Sequence, residues 1–373
     1  MSKKGLKTSK ILQISCSWDS KLGGPVQVAR YVSKKLRLDF PKAETWVVGK
    51  FLNDSQQNEE HMTVLKTLFK NRYGFTFRLL NPRVIRSIRN QDLIICHGYY
   101  LFTTLVALIF ARNRILVMPH GSLEIFISKK GISRKFLYNS IVRLFYTLKK
   151  NDFEFIVASN SEVLSVASKF PKTKCNVVGL GVDDPLLPIK IRKSTDLLHI
   201  ATIGRIHRIK RLDIAIRAVA ILIQKEANKN VHLSITGAGD SKSLKGLIEE
   251  LGISKNVSFT GWLNRQDLDE FLEGVDIVVQ PSDNENFALS IAESIVRGIP
   301  VIVTDRVGMG EFVGIHSTGI VIPPNDEIAL SRAMKDVSDD LEMFSKNCVT
   351  SKELLIWEHV FFTRWIPVLL DWK

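Results

Sequence analysis

The chain has 373 residues, of which 45% are apolar and 24% charged, a composition typical of globular proteins and a length sufficient for two domains. Four scattered cysteines argue against a zinc site or a disulfide framework, and the longest apolar run, 101–111, is about half of the ~20 residues that a spanning helix needs. The formal net charge of +14 favours anionic partners, so we expect a cytoplasmic protein that binds something negatively charged.

The first half of the chain predicts a parallel α/β domain. Its opening segment, "KILQISCSWDSKLGGPVQVARYVSKKL", combines a short apolar strand, a glycine-bearing loop and a helical pattern. Later Val/Ile-rich runs indicate strands buried on both faces, at 45–49, 92–98, 114–121, 154–159 and 176–181. The pair Gly23-Gly24 can bind an anion through backbone N–H groups or simply make a tight turn. His120, at a strand end, can bind a substrate hydroxyl, act as acid or base, or be held by local hydrogen bonds.

The Pro-spaced segment 181–196 predicts a linker, and the second half then repeats the pattern of the first. A strand at 197–203 leads through Gly204 into a helix, and further strands are predicted at 231–239, 257–261, 276–282, 300–305 and 318–324. The sequence therefore predicts an α/β protein with two doubly wound, Rossmann-like domains facing across a cleft, over 1–182 and 183–356. Ligands bind such folds at the carboxyl ends of the strands, so the cleft is the expected site.

Gly204, Arg205 and Lys210 form the first candidate constellation, in "IGRIHRIKRLD". A glycine at a strand end lets the backbone approach a phosphate, and the next helix start offers unpaired N–H groups. Arg205 and Lys210 suit the two charges of a diphosphate. The alternative interpretation is a plain turn with solvated bases.

The stretch "QPSDNENFALSIAESIVRGIPVIVTD" places Glu285 and Glu293 eight positions apart, around a predicted helix start. The first N–H groups of that helix, which can bind an anion, belong to Phe287, Ala288 and Leu289. A carboxylate would repel a phosphate, so the acids must address another part of the ligand, and sugar hydroxyls fit. One acid for each of two sugars around a diphosphate describes a nucleotide sugar. A glycosidase pair is the rival interpretation, and it explains neither the helix start nor the basic turn.

With these residues, the sequence resembles the retaining, nucleotide-sugar-dependent glycosyltransferases of family 4, which have the GT-B fold. The resemblance covers nearly the whole chain, with five motifs in the family's order: "LGGP", "PHGSLE", "GRIHRIKRLD", "VSFTGWL" and "PSDNENFALSIAESIVRGIPVI". It implies that Arg205 and Lys210 hold the donor diphosphate. It also implies that Glu285 contacts the transferred sugar, that Glu293 contacts the ribose, and that His120 approaches the sugar from the first domain.

The resemblance implies further donor contacts. Gly24 would supply a backbone N–H near the phosphate, and Thr260 and Gly261 of "FTGW" would lie beside the base. The remaining donor-binding residues would be Gly204, Asn286, Phe287, Ala288 and Leu289. The last helix, 357–373, would cross back and join the first domain. Two positions depart from the family's pattern: Ala288 stands where the family usually has Gly, and Gly179 where it usually has Asn. These departures bear on the identity of the donor.

We therefore expect a retaining glycosyltransferase, of the hexosyltransferase type, that moves a sugar from a nucleoside-diphosphate sugar to a glycan or lipid-linked acceptor. An O-antigen, capsule or exopolysaccharide role is the expectation, with no metal and no cofactor. The pair Asp267 and Asp269 predicts an amphipathic helix start rather than a metal site. A GT-B-fold sugar-nucleotide epimerase is the alternative enzyme. Nucleic-acid binding is disfavoured, because the basic runs contain few interleaved aromatics and no known module pattern.

Two stretches of the first half carry only positive charge. Residues 61–91 and 125–151 contain no Asp or Glu but seven Lys or Arg each, mixed with bulky apolar side chains. Such surfaces suit anionic lipid headgroups, so we expect peripheral association with the inner face of the cytoplasmic membrane. The bases expected to matter most are Lys129, Lys130, Arg134 and Lys135. In the alternative interpretation the apolar residues pack in the core and the bases are merely solvated.

Overall fold

The computed structural model describes residues 9–18, 24–48, 62–65, 76–123, 132–148, 152–225 and 230–371. The chain divides into two compact units, 1–178 and 179–373. The predicted boundary between 182 and 183 lies four residues beyond this division.

The first unit is built on a parallel sheet whose seven described strands have the order β3-β2-β1-β4-β5-β6-β7. They are β1 (Ile11–Ser15), β2 (Glu44–Val48), β3 (Met62–Leu65), β4 (Leu93–His97), β5 (Arg114–Met118), β6 (Phe153–Val157) and β7 (Cys175–Val177). The central strands β1, β4, β5 and β6 are buried along their whole length, which is why their sequences are mostly apolar. The polar residues on them are also buried, namely Gln13, Ser15, His97, Arg114 and Glu154. The sequence does not predict β3, a partly exposed edge strand.

The described helices of the first unit follow the strands. They are α1 (Gly24–Asp39), α2 (Pro82–Arg89), α3 (Phe102–Phe110), α4 (Ile132–Leu148) and α5 (Asn160–Ala167), with a 3₁₀ turn at Phe77–Leu80. Local signals set their starts: Asn81 caps α2 by accepting the N–H of Arg83, and Ser159 caps α5 by accepting the N–H of Glu162. The helices bury Val106, Val142 and Val166 in the apolar core of the sheet.

The second unit has a parallel sheet of six described strands in the order β10-β9-β8-β11-β12-β13. They are β8 (Leu197–Ile203), β9 (Asn230–Thr236), β10 (Val257–Gly261), β11 (Ile277–Gln280), β12 (Val301–Thr304) and β13 (Gly319–Ile322). All six are predicted by the sequence, and the two doubly wound α/β units confirm the predicted fold class.

The helices of the second unit include the short one on which the candidate site depends. They are α6 (Leu212–Lys225), α7 (Lys242–Glu250), α8 (Arg265–Glu273), α9 (Leu289–Ile295), α10 (Gly310–His316), α11 (Glu327–Asp339), α12 (Leu341–Ser351), α13 (Trp357–Val360) and α14 (Ile366–Leu369), with a π-helical turn at Phe361–Trp365. The last helices pack within this unit, since Ile356 bridges to Val182 and the backbone of Trp357 lies against Gly181. Their predicted crossing onto the first domain stays a prediction.

In both sheets the strand order reverses beside the first strand of the unit. The reversal falls between β1 and β4 in the first unit and between β8 and β11 in the second. Doubly wound folds bind ligands in the crevice beyond the carboxyl ends of such strands. In the second unit, the loops that leave β8 and β11 hold residues 204–210 and 283–288, which are the two motifs singled out from the sequence.

Candidate active site

Gly204 leaves β8 in a conformation that favours glycine. Its φ is +136°, and its N–H donates to the carbonyl of Thr236 at 2.9 Å. A Cβ at this position would lie 3.2 Å from both Cε and Nζ of Lys210. The missing side chain therefore lets the lysine lie close to the end of the strand. Lys210 closes a 3₁₀ turn, Arg208–Lys210, whose start is capped by His207 Nδ1 accepting the N–H of Ile209.

Lys210 and Glu285 form an ion pair between the two loops. Lys210 Nζ lies 2.9 Å from Glu285 Oε1, and the side chains are 17% and 20% exposed. The backbone of Glu285 is fixed on both sides, because its N–H donates to the carbonyl of Arg306 at 3.1 Å and its carbonyl accepts the N–H of Gly308 at 2.9 Å. The structure thus brings together the predicted diphosphate cation and the predicted sugar-binding acid. Their roles stay predictions.

A strap that the sequence reasoning missed ties these loops to one another. Arg211 has a left-handed φ of 48° and forms ion pairs with Asp213 at 2.9 Å and Asp283 at 3.3 Å. The N–H of Asp283 also donates to the carbonyl of Ile209 at 2.9 Å. Hydrogen bonding to Asp213 raises the pKa of Arg211. Burial would raise the pKa of Asp213, but the arginine outweighs it and holds that pKa below its usual value.

Arg205 differs from Lys210 in having no partner. Its side chain is exposed, and within the described residues it makes no hydrogen bond or ion pair. Its backbone is held, since the next residue, Ile206, donates its N–H to the carbonyl of Ala238 at 2.9 Å. An unpaired guanidinium on an anchored loop is free to bind a ligand anion.

Helix α9 begins at Leu289, two residues later than the sequence predicts. Phe287 and Ala288 precede it, and both are buried. Ala288 has φ 74° and ψ 72°, a left-handed conformation that costs a residue with a Cβ about 1–2 kcal/mol. The family's pattern has a glycine at this position, and glycine adopts such a φ without the Cβ penalty. Asn286, just upstream, is half-buried, and its Oδ1 is buried without a hydrogen-bond partner among the described residues.

Glu293 lies on the second turn of α9 and is partly buried. Burial raises its pKa, and the charge of Arg297 opposes this rise. Arg297 donates to the carbonyl of Glu293 at 2.6 Å and from Nε to Asp269 Oδ1 at 2.5 Å. Asp269 is buried and also accepts the N–H of Leu186. The contacts of Asp269 are therefore structural ones, to Arg297 and to the backbone of Leu186. Among the described residues, no cluster of His, Cys, Asp or Glu could hold a metal ion.

Thr260 and Gly261 end β10 beside the Gly204 loop. Thr260 Oγ1 donates to Thr236 Oγ1 at 3.1 Å, and the carbonyl of Gly261 accepts the N–H of Gly237 at 2.7 Å. Gly237 is packed against Gly204, since a Cβ there would lie 1.9 Å from the carbonyl oxygen of Gly204. Thr260, Gly261 and the following Trp262 are exposed, which leaves this edge open to a ligand such as a base.

The two predicted residues of the first unit lie at strand ends. Gly24 begins α1, while the rest of the predicted loop, through Gly23, lies outside the described residues. His120 follows β5 with φ 53°, and its Nε2 lies 3.0 Å from Nδ1 of His97, the last residue of β4. The buried carboxylate of Glu162 accepts the N–H of Gly121 at 2.7 Å and that of Ala158 at 2.9 Å. Neither His97 nor Glu162 is singled out by the sequence. How the first unit meets the second stays a prediction.

Comparison with solved structures identifies the fold. HepE from Anabaena, solved in complex with UDP and glucose, aligns over 98% of this chain and all of its own with a TM-score of 0.73 and 18% identity. The two Rossmann-like units are therefore those of the GT-B fold, as the sequence predicts.

Comparison with protein families and curated proteins relates the second unit to glycosyltransferases. Residues 183–354 match the family model named "Glycosyl transferases group 1". The D-inositol 3-phosphate glycosyltransferase of Streptomyces avermitilis is 30% identical over 145 residues, which are 37% of this chain and 31% of the relative. The amylovoran biosynthesis glycosyltransferase AmsK of Erwinia amylovora is 24% identical over 301 residues, 74% of this chain and 69% of its own. The chain thus spans about a third of the first relative, and nothing in these matches supports the epimerase alternative.

Proposed function

We propose that the chain is a retaining glycosyltransferase that moves a sugar from a nucleoside-diphosphate sugar to a glycan or lipid-linked acceptor. The observation that carries the proposal is the Lys210–Glu285 ion pair beside Gly204. It lies at the carboxyl ends of the two strands between which the sheet order reverses, within the segment matched by the glycosyltransferase family model.

The ion pair is compatible with a bound donor. A lysine ammonium has three N–H donors, so Lys210 can keep its contact with Glu285 and still donate to a diphosphate oxygen. The shared lysine would then hold the acid in place while its remaining lone pairs accept hydrogen bonds from sugar hydroxyls. Arg205 supplies the second positive charge.

The proposed reaction is a front-face displacement. The bond from the anomeric carbon to the diphosphate oxygen breaks, a bond to the acceptor oxygen forms on the same face, and the acceptor proton passes to the leaving diphosphate. Negative charge develops on that diphosphate, so Lys210 and Arg205 stabilise the transition state electrostatically. Pairing with Lys210 makes Glu285 a poor nucleophile, which disfavours a covalent glycosyl intermediate of the glycosidase type.

The biological role proposed is surface-polysaccharide biosynthesis, with no metal and no cofactor. It is supported by the match to AmsK, whose name assigns it to amylovoran biosynthesis, over about three quarters of this chain. HepE, a neighbour in fold, binds UDP and glucose, which makes a UDP-sugar the first donor to test.

A thermal-shift screen against UDP-, GDP- and ADP-sugars tests the proposal. A true donor at 100 times its dissociation constant is expected to stabilise the protein by about 2.7 kcal/mol. The same donor with Lys210→Ala should give a much smaller shift, which separates binding at this site from nonspecific stabilisation. No shift with any donor, combined with no sugar transfer in the presence of a glycan or lipid-linked acceptor, would refute the proposed activity.

We further propose that helix α4 binds anionic lipid. Four large apolar residues on it are 59% to 72% exposed, namely Phe136, Leu137, Leu144 and Leu148. At about 100° per residue, the three leucines fall within roughly 40° of arc, opposite the buried Val142. The alternative interpretation, in which the apolar residues of this segment pack in the core, does not hold for Phe136, Leu137 and Leu144, whereas the neighbouring Val142 is buried. Arg143 is exposed beside it, and the run 125–151 has no acid, which favours negatively charged headgroups.

Co-sedimentation with vesicles checks this face directly. The double variant Leu144→Ser, Leu148→Ser is expected to lose most binding to vesicles of anionic lipid, because it removes half of the outward apolar set. Ile315→Ser, which changes an exposed apolar residue of the second unit, is the matched control and should bind normally. Of the bases predicted from the sequence, Lys129 and Lys130, and the side chains of Arg134 and Lys135, lie outside the described residues. Equal binding to neutral and anionic vesicles, or none to either, would exclude the hypothesis.

No helix among the described residues is both long and apolar enough to cross a membrane.

A further inference from the structure

Two histidines at neighbouring strand ends of the first unit share a hydrogen bond. His97 ends β4 and His120 follows β5, the strand that pairs with β4 in parallel. His97 Nδ1 lies 3.0 Å from His120 Nε2, and the two ring planes differ by only 19°. Nearly parallel rings at this distance fit an N–H···N bond, in which one ring donates and the other accepts.

The two rings are neutral, so the bond has only two possible arrangements. Burial lowers the pKa of His120 to about 4, and burial together with the charge of His120 lowers the pKa of His97. A neutral imidazole carries one proton on one of its two nitrogens. Either His97 donates from Nδ1 to His120, or His120 donates from Nε2 to His97.

The other nitrogen of His97 decides between these arrangements. His97 Nε2 is buried and has no hydrogen-bond partner among the described residues. If His120 donated, the proton of His97 would have to sit on Nε2 as a buried, unpaired N–H. If His97 donates from Nδ1, its Nε2 is a bare acceptor instead. Among buried backbone groups, an orphaned N–H is rarer than an under-used acceptor, and we apply the same order to these two states of the ring nitrogen.

We infer that His97 is a positioning residue, which donates its Nδ1–H to His120 and so fixes the proton of His120 on Nδ1. His120 Nδ1 has no partner among the described residues and is not enclosed by them. His120 therefore presents an N–H donor to a ligand and has no free lone pair with which to remove a proton from an acceptor.

The consequence for catalysis rests on the proposed function and on the resemblance, which implies that His120 approaches the transferred sugar. The N–H would bind a sugar oxygen and orient the donor, while the acceptor proton leaves with the diphosphate. The backbone supports a fixed ring, because Glu162 holds the N–H of Gly121 next to the left-handed His120.

Long-range ¹H–¹⁵N NMR on the full chain, labelled with ¹⁵N in its histidine rings, reads the tautomer directly. We expect His120 to show a protonated Nδ1 and a bare Nε2 at neutral pH, with signals assigned by their loss in His120→Gln. A proton on Nε2 of His120, or a charged ring, would overturn the inference. The measurement needs no substrate, so it stands even if the protein transfers no sugar, a result that would count only against the proposed function.

Substitution of His97 tests the positioning role. His97→Phe keeps a ring but removes the donor, and should lower kcat by about 10–100-fold, as loss of an orienting partner commonly does, with KM for the donor changing less. His97→Asn, which can again offer an N–H near the same place, should recover most of that loss and keep the Nδ1–H tautomer of His120. A folded His97→Phe with normal kcat would overturn the role. If His97→Phe does not fold, the tautomer of His120 in His97→Asn tests the positioning role instead. A proton on Nε2 of His120 in that variant would contradict the role.

Discussion

Replacing Lys210 with alanine is expected to lower turnover about 100-fold, the effect of losing a single donor aimed at transition-state charge. Lys210 Nζ is placed over Gly204 and bonded to Glu285. Its removal takes a cation from the leaving diphosphate and also leaves the carboxylate of Glu285 uncompensated beside it. The lost attraction to Lys210 and the added repulsion from Glu285 both destabilise the negative charge on the leaving diphosphate. The measurement is kcat for release of the nucleoside diphosphate from the donor found by thermal shift.

The fold should survive this change. Both members of the ion pair keep some contact with solvent, with 17% and 20% of their side chains exposed, so losing the pair should lower stability by less than the ~3–5 kcal/mol that breaking a fully buried pair costs. The strap formed by Arg211 with Asp213 and Asp283 remains and holds the two loops together. A single cooperative unfolding transition, at a modestly lower midpoint in the absence of donor, would therefore accompany the loss of turnover.

Arg205→Ala is expected to give a loss of similar size through a different route, because this side chain has no partner to lose among the described residues. Arg208→Ala is the matched control, since Arg208 is exposed on the same turn but is not assigned to the donor. It should retain nearly normal turnover. Near-normal activity in both Lys210→Ala and Arg205→Ala would contradict their assignment to the diphosphate. A large loss of turnover in Arg208→Ala would show that the effect comes from basic charge in general and not from these two residues.

The architecture of both units could be predicted because parallel strands buried on both faces are recognisable as short apolar runs in the sequence. A strand covered on both faces is mostly apolar, as in β4 and β12, where only the last residue is polar, and such runs are hard to mistake when helical patterns separate them. The edge strand β3 has no such constraint, since its four residues are half exposed, and the sequence does not reveal it. The helix predicted to start near residue 287 starts two residues later, because Ala288 adopts a backbone conformation that its residue type disfavours.

The contacts that organise the site could not be predicted. Arg211 reaches Asp283 across 72 positions of sequence, and His97 reaches His120 across 23. In each case the two residues come from different strand ends: Arg211 and Asp283 follow β8 and β11, His97 ends β4, and His120 follows β5. Motifs identify residues that could touch a ligand, whereas the residues that hold them depend on strand order and on backbone angles. The left-handed turn at Arg211 shows this, because a positive φ is uncommon for a residue other than glycine. His120 has one as well, and histidine is among the residue types enriched in this conformation.

Glu285→Gln is the second change for which we expect a large effect. It keeps the size of the side chain but removes the charge that binds Lys210 and the carboxylate that would accept two sugar hydroxyls. Turnover with the sugar donor should fall by about 100-fold, on the scale of one lost transition-state contact. Binding of the free nucleoside diphosphate should be unchanged or tighter, because Lys210 no longer shares its charge with a neighbouring acid. Isothermal titration with the diphosphate and with the intact donor separates these two effects.

Glu293→Gln provides the contrasting signature on the same helix. If Glu293 binds the ribose, affinity for the intact donor and for the free nucleoside diphosphate should both fall, since both contain that sugar. Burial already disfavours the charged form of Glu293, as the raised pKa indicates, so neutralising it should change the stability of the free protein little. The hydrogen bond from Arg297 goes to the backbone carbonyl of Glu293 and survives the change. The two variants therefore differ most in their binding of the free diphosphate, which Glu285→Gln spares and Glu293→Gln weakens. Wild-type affinity of both for the intact donor would show that neither acid recognises a sugar.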